Sequence, residues 1–188
     1  LTNDDPNSLF EYFTVGASSN VEYSIDQTGF DPENTGNGKK APKIVKSAQG
    51  ALNLQYNKPI PVKPGKTYEI SYWVKIEGEK GAVRQFCNLH ENGPFSNYTA
   101  VNNTPLNDNT DGWQKITFQT EFDPKCTSVD IILVIDSDKY QCENPDGSAT
   151  VWYGEVTMRE VTEKDPYTHI PNGDFQQTTV GAPHYFDN

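Results

Sequence analysis

The sequence predicts an all-β protein, a β-sandwich jelly roll of about nine antiparallel strands in two sheets. Three observations carry this reading. Apolar and polar residues alternate in short blocks, turn-forming residues separate those blocks, and the composition suits strands. Thr, Val, Ile and Tyr are common while long runs of Ala, Leu, Glu and Lys are absent. β-Branched and aromatic side chains fit a pleated, half-buried surface. At 188 residues the chain is long enough for one well-buried core, and a second full domain would not fit.

The elements follow in order. Segments 9–15, 21–25, 43–47 and 51–56 are short and weakly patterned. Segment 67–76 alternates throughout, with Tyr68, Ile70, Tyr72, Val74 and Ile76 on one side and Glu69, Ser71, Trp73 and Lys75 on the other. Segment 82–90 sets Val83, Cys87 and Leu89 against Arg84, Phe86, Asn88 and His90. Segment 113–122 buries Ile116, Phe118 and Phe122. Segment 128–136 is nearly continuous in Ile and Val, as a central strand would be, and 151–161 closes the set. Turn signals lie between them at Lys63-Pro64-Gly65-Lys66, 77–81, Asp111-Gly112 and Asp146-Gly147. Segments 28–42 and 91–112 read as long loops, which are functional or mobile at this length.

The two ends of the chain carry the same string. Residues 6–17 and 171–182 align without a gap, and Pro6, Asn7, Phe10, Thr14, Val15, Gly16 and Ala17 recur as Pro171, Asn172, Phe175, Thr179, Val180, Gly181 and Ala182. Self-similarity at a long fixed period signals tandem modules. The expected organisation is one β-sandwich module over 1–165, with 166–188 a linker plus the opening strand of a following, truncated repeat.

A net charge of -11 argues against nucleic acid as a partner, because affinity for a phosphate backbone rests on Lys and Arg. No apolar run approaches the roughly 18 residues of a membrane span. A neutral partner fits best. The three cysteines, Cys87, Cys126 and Cys142, lack metal-like spacing. They are either one disulfide plus one thiol or three thiols. A Cys126–Cys142 bridge is disfavoured because the two flank one strand, and Cys87 with Cys142 is the weakly preferred pair.

Three strings then follow one another: Val62-Lys63-Pro64-Gly65-Lys66-Thr67-Tyr68, Asp111-Gly112-Trp113-Gln114, and Trp152-Tyr153-Gly154-Glu155-Val156. Together they resemble the Pro-Gly-x-x-Tyr strand, the Trp-bearing strand and the closing Asp-Asp-Val strand of carbohydrate-binding modules of the family 4, 9, 16 and 22 type. Asn172-Gly173-Asp174-Phe175 resembles that group's opening signature, with 7–11 as a degenerate first copy. The resemblance implies a jelly roll that binds polysaccharide and is joined to a glycoside hydrolase or similar enzyme. It also implies a structural calcium near the first and last strands. Here Gly154 replaces the first Asp of the closing motif and only Glu155 stays acidic there, so Glu11 with nearby Asp4 or Asp5 (Asp5 taken first) is left to offer oxygens.

Sugars present C–H faces that lie on aromatic rings and hydroxyls that need polar partners. Alternation offers such a mixed face in three strands, and the candidate carbohydrate-binding residues are Trp73, Arg84, Phe86, Asn88, Tyr98, Tyr153 and Glu155. Tyr153 and Glu155 belong to it if their strand runs in unbroken register. Trp73 is the leading candidate because its neighbours on that side are all polar; it becomes core if a loop covers it. Arg84 either anchors a hydroxyl or pairs across strands with Glu69 or Glu155. Asp130, Asp136 and Glu155 are the carboxylates from which a glycosidase pair would have to come.

The expected protein is therefore a non-catalytic, monomeric module of a secreted or cell-surface multimodular enzyme, with a neutral β-glycan (β-glucan, xylan or mannan) as its partner. The alternatives are a structural spacer or adhesion sandwich without a sugar site and, further off, a glycosidase or polysaccharide lyase.

Overall fold

The computed structural model describes residues 13–94, 106 and 108–161, and the backbone of 96–100 and 167–169. These residues form two six-stranded antiparallel sheets. The strands are β1 (Phe13–Ala17), β2 (Val21–Phe30), β3 (Lys39–Lys46), β4 (Leu52–Tyr56), β5 (Ile60–Pro61), β6 (Thr67–Gly78), β7 (Arg84–Asn92), β8 (Ser96–Ala100), β9 (Gln114–Glu121), β10 (Ser128–Asp136), β11 (Ala149–Glu160) and β12 (Tyr167–His169). One sheet, called the front sheet below, runs β1-β4-β10-β7-β8 with β5 beside β10. The back sheet runs β2-β3-β11-β6-β9 with β12 beside β11. Among the described residues no helix is long and apolar enough to cross a membrane.

All nine expected strands are present. The additional ones are the short β5 and β12, and β8 within the stretch read as a long loop. The 28–42 stretch is strand at both ends: β2 runs on to Phe30 and β3 starts at Lys39, leaving a connection of 31–38. Gly65 takes a φ of 67°, which the turn before β6 requires and which few residues other than glycine adopt. β12, inside the stretch expected to open a linker, pairs with Thr157, Met158 and Arg159 of β11. Residues 171–182, and with them the second copy of the repeated string, lie outside the described residues.

The core lies between the sheets. β6 contributes Tyr68, Ile70, Tyr72, Val74 and Ile76, and β10 contributes Val129, Ile131, Leu133 and Ile135, all at most 3% exposed. Polar groups stitch the sheets through this core. Gln85 Nε2 of β7 donates to the Tyr72 hydroxyl of β6 at 3.1 Å, and the Tyr153 hydroxyl reaches the Val134 carbonyl at 3.5 Å. Each partner satisfies a polar atom that would be costly to bury alone. Cys87, Cys126 and Cys142 are three buried free thiols, so the preferred Cys87–Cys142 bridge does not form. Burial pushes the Cys87 thiol up to about 12.

Two features overturn the single mixed face expected from alternation. First, the chain changes sheet between β6 and β7, between β8 and β9, and at each step from β9 to β11. The outward side of β6 and the outward side of β7 therefore look in opposite directions. Second, β11 carries a bulge: its register against β6 shifts between Tyr153 and Val156. A bulge places an extra residue in one strand and reverses the parity beyond it. Tyr153 accordingly points into the core, with no exposed surface, while Glu155 faces outward, half-buried.

Gly154 sits within this bulge, under the Phe30 ring. A Cβ added there would fall 2.6 Å from Phe30 Cδ2 and 2.9 Å from Cζ. Gly154→Ala is expected to destabilise the protein by about 1–3 kcal/mol, the usual cost of overpacking. Urea unfolding checks this, and an unchanged midpoint would contradict the packing described.

Candidate functional site

β10 is the centre of the front sheet, and its outward residues are Asp130, Ile132, Val134 and Asp136. The first three are only 8%, 5% and 6% exposed although they face away from the core. β10 is flanked on both sides by paired strands. On one side β4 sets Gln55 opposite Ile132 and Asn53 opposite Val134. On the other, β7 sets His90, Asn88, Phe86 and Arg84 opposite Asp130, Ile132, Val134 and Asp136. The face is an apolar floor of Ile132 and Val134 between flanks of amides and one aromatic ring.

Each end of the floor is closed by a carboxylate with fixed partners. Gln55 Nε2 donates to Asp130 Oδ2 at 3.4 Å, and His90 Nδ1 lies 3.2 Å from the same oxygen. At the other end Arg84 grips Asp136 in a fork, Nε to Oδ1 at 3.2 Å and Nη2 to Oδ2 at 2.7 Å. Its guanidinium also lies 4.5 Å from the centre of the Phe86 ring. Two-point pairing and stacking together hold Arg84 in one orientation. The sequence left Arg84 open between a hydroxyl anchor and a pair with Glu69 or Glu155. Its partner is neither: Glu69 is taken by Arg159 at 2.7 Å, and Glu155 lies on the back sheet.

This arrangement offers what a sugar chain needs. Phe86 presents an aromatic ring to C–H faces, Ile132 and Val134 form a nearly buried apolar strip beside it, and the amides of Asn53, Gln55 and Asn88 both donate and accept towards hydroxyls. It does not offer a hydrolytic pair. Asp130 and Asp136 are six positions apart on one strand, about 20 Å at the rise of a β-strand, against the 5–9.5 Å that two working carboxylates span.

Of the seven residues singled out from sequence, Arg84, Phe86 and Asn88 come together here. Tyr98, in β8, takes the backbone register position opposite His90. Trp73 and Glu155 lie on the opposite sheet, and Tyr153 is core. Glu11 and Asp5 lie outside the described residues. Sequence reasoning missed Asn53, Gln55, Ile132 and Val134. For the first two the signal was present in the alternation Leu52-Asn53-Leu54-Gln55-Tyr56. The near-continuous apolar run of β10 concealed the other two.

The outer side of the back sheet is organised differently. Phe30, Ala41 and Trp152 form a small second core, with Trp73 and Trp113 packed against it. Phe30 meets Trp113 edge-on at 4.9 Å and Trp73 at 6.1 Å. The indole N–H of Trp152 donates to Asp26 Oδ2 at 3.1 Å, and that of Trp113 to the Gly29 carbonyl at 3.1 Å. Trp73 is thus partly enclosed by other rings and by the 31–38 connection. Among the described residues, a cleft of about 320 Å³ remains between that connection, Trp73 and Glu155.

Comparison with known proteins agrees with this fold. Residues 5–139 match the model of a family described as a carbohydrate-binding domain, of the 4 and 9 type. No curated protein matches the sequence. Among solved structures, TmCBM61 in complex with β-1,4-galactotriose superposes with a TM-score of 0.54 at 12% identity, over 86% of this chain and 97% of that one. The CBM22-1–GH10 modules of Clostridium thermocellum endo-1,4-β-D-xylanase 10B, complexed with xylohexaose, superpose with a TM-score of 0.51 at 12% identity, over 79% of this chain and 26% of that one. The arabinose-bound MgGH51 α-L-arabinofuranosidase gives 0.51 at 15% identity, over 80% and 23%. At these identities the likeness shows the fold.

Proposed function

The chain belongs to the carbohydrate-binding domain family of the 4 and 9 type, and from that premise we propose that it holds a neutral β-glycan along the outer face of its front sheet. One observation carries the proposal. β10 provides a low apolar floor, Ile132 and Val134, while β4 and β7 stand beside it with Asn53, Gln55, Asn88 and Phe86. A chain of sugar rings laid there meets apolar surface below and amides on both sides. The net charge of -11 favours an uncharged glycan over a polyanionic one. A β-glucan, xylan or mannan is the expected class.

The module works by adsorption. It holds a linked domain near its substrate and so raises effective concentration without chemistry of its own. We place it in a secreted multimodular enzyme, a reading supported by the xylanase whose CBM22-1 module is solved together with its GH10 module. Native gels containing soluble glucans, xylan, mannan and an acidic polysaccharide test the proposal. Retardation by a neutral β-glycan is expected. No retardation by any glycan would favour a structural spacer instead.

Calcium stays a proposal on Glu11 and Asp5. The closing-strand ligand of the family pattern does not fit this chain, because the space a side chain at position 154 would need is filled by Phe30. Added calcium is expected to raise the melting temperature, and Glu11→Gln to remove that rise. A melting temperature indifferent to both calcium and chelator would rule the site out.

A further inference from the structure

We propose that the cleft between Trp73 and the 31–38 connection is a second saccharide pocket, on the back sheet, which takes one or two neutral pyranose units at a chain end or side branch. The inference rests on the carbohydrate-binding reading above and adds a site on the opposite side of the sandwich.

The cleft is a built feature. At about 320 Å³ it falls at the lower end of the range of small-ligand pockets. Its apolar walls are Trp73, Phe30 and Pro32, and its polar lining includes Thr35, Asn37 and Glu155. Rings beside hydroxyl-bonding groups are the combination a sugar requires. Glu155 reaches this lining only because of the bulge in β11. Without the extra residue, parity would turn position 155 towards the core along with Tyr153. Bulges commonly re-aim a side chain beside a functional site.

The connection that forms the other wall is set before any ligand arrives. Asp31 Oδ1 accepts from the Thr35 backbone N–H at 2.9 Å and from its hydroxyl at 3.1 Å, and Oδ2 accepts from the Gly36 N–H at 2.7 Å. These bonds, that of the Thr35 backbone first, hold the Asp31 carboxyl below the usual carboxylate range. Asp31 is therefore occupied in shaping the wall, as is the Thr35 hydroxyl, which also accepts from the Asn37 backbone N–H at 3.3 Å; Glu33, Asn37, Lys39 and Glu155 are the other polar residues of the lining. A wall fixed in advance reduces the ordering cost of binding.

The pocket is bounded by the connection on one side and by β6 and β11 beneath, so it suits a terminal unit more than a chain in passage. Two sites on opposite faces would let one module bridge two glycan chains, with the gain in avidity that bivalency brings.

All three tryptophans of the chain, Trp73, Trp113 and Trp152, belong to the back-sheet cluster. Tryptophan emission therefore reports on this pocket and is blind to the front face. The test titrates cellobiose, xylobiose, mannobiose and β-1,4-galactobiose into three forms of the module: wild type, a front-face variant (Phe86→Ala with Asn88→Ala), and pocket variants (Glu155→Gln and, separately, Asn37→Ala). Emission and calorimetric heat are followed together.

We expect a saturable emission change with at least one sugar, retained in the front-face variant and weakened about tenfold in each pocket variant, the loss of roughly one good hydrogen bond. Heat of binding with flat emission would overturn the pocket and leave the front face standing. An emission change that disappears in the front-face variant, or is untouched in both pocket variants, would also overturn it. Neither heat nor emission change with these disaccharides would overturn the pocket; the carbohydrate-binding reading would fall with it only if the polysaccharide gels were blank as well.

Discussion

Replacing Phe86 and Asn88 together by alanine is expected to weaken glycan binding by about 2–3 kcal/mol, roughly a 30- to 150-fold rise in Kd. The fold should be unaffected. Both residues face outward on β7, opposite Val134 and Ile132, and neither belongs to the core between the sheets. Removing the ring takes away the only aromatic surface that the described strands β4, β7 and β10 turn outward. Removing the amide takes away a donor and acceptor at the edge of the floor. Truncating Phe86 also strips Arg84 of the ring it stacks on, so part of the loss comes from a freer guanidinium. Calorimetry with the glycan that retards the wild type gives the figure. A change under about twofold would move the binding site off this face.

Tyr153→Ala should act on stability rather than on binding. Its side chain is fully buried, packs edge-on against Tyr72 at a ring-centre distance of 6.4 Å, and spans the core to the Val134 carbonyl. Truncating a buried aromatic costs about 3–5 kcal/mol. In a domain of this size that is a large share of the total. A drop of this order in unfolding free energy is expected, with folded molecules still binding glycan. A stable variant that has lost binding would return Tyr153 to the surface role its sequence position suggested.

The contrast between Phe86 and Tyr153 marks where the sequence was legible. Both were picked as outward aromatics by counting in twos along a strand. The count holds for β7 because its alternation is unbroken from Arg84 to Asn92. It fails in β11 because the bulge between Tyr153 and Val156 adds one residue, and no side-chain pattern announces it. Gly154 is the one trace, since only a residue without a Cβ lets Phe30 lie so close.

Sheet membership was the second thing hidden. Alternation tells inside from outside in each strand, but Trp73 and Arg84 differ by which sheet carries them. That depends on the order β6 back, β7 front, which is set by long-range pairing. Trp73 looked like a lone exposed ring because its companions come from elsewhere in the chain: Phe30 at the end of β2, Trp113 before β9 and Trp152 on β11. Asn53 and Gln55 were visible as a pattern in β4. Their importance came only from their place beside β10.

The most direct test of the front face as the glycan site is a titration of the ¹⁵N-labelled module with cellohexaose, xylohexaose and mannohexaose, following backbone amide shifts. We predict that the earliest and largest shifts fall on Asn53, Gln55, Phe86, Asn88, Ile132 and Val134, with β9 unmoved at the same ligand concentration and any shifts around the Trp73 cleft smaller and later. Shifts confined to the 31–38 connection, Trp73 and Glu155, with β4, β7 and β10 silent up to saturation, would contradict the account.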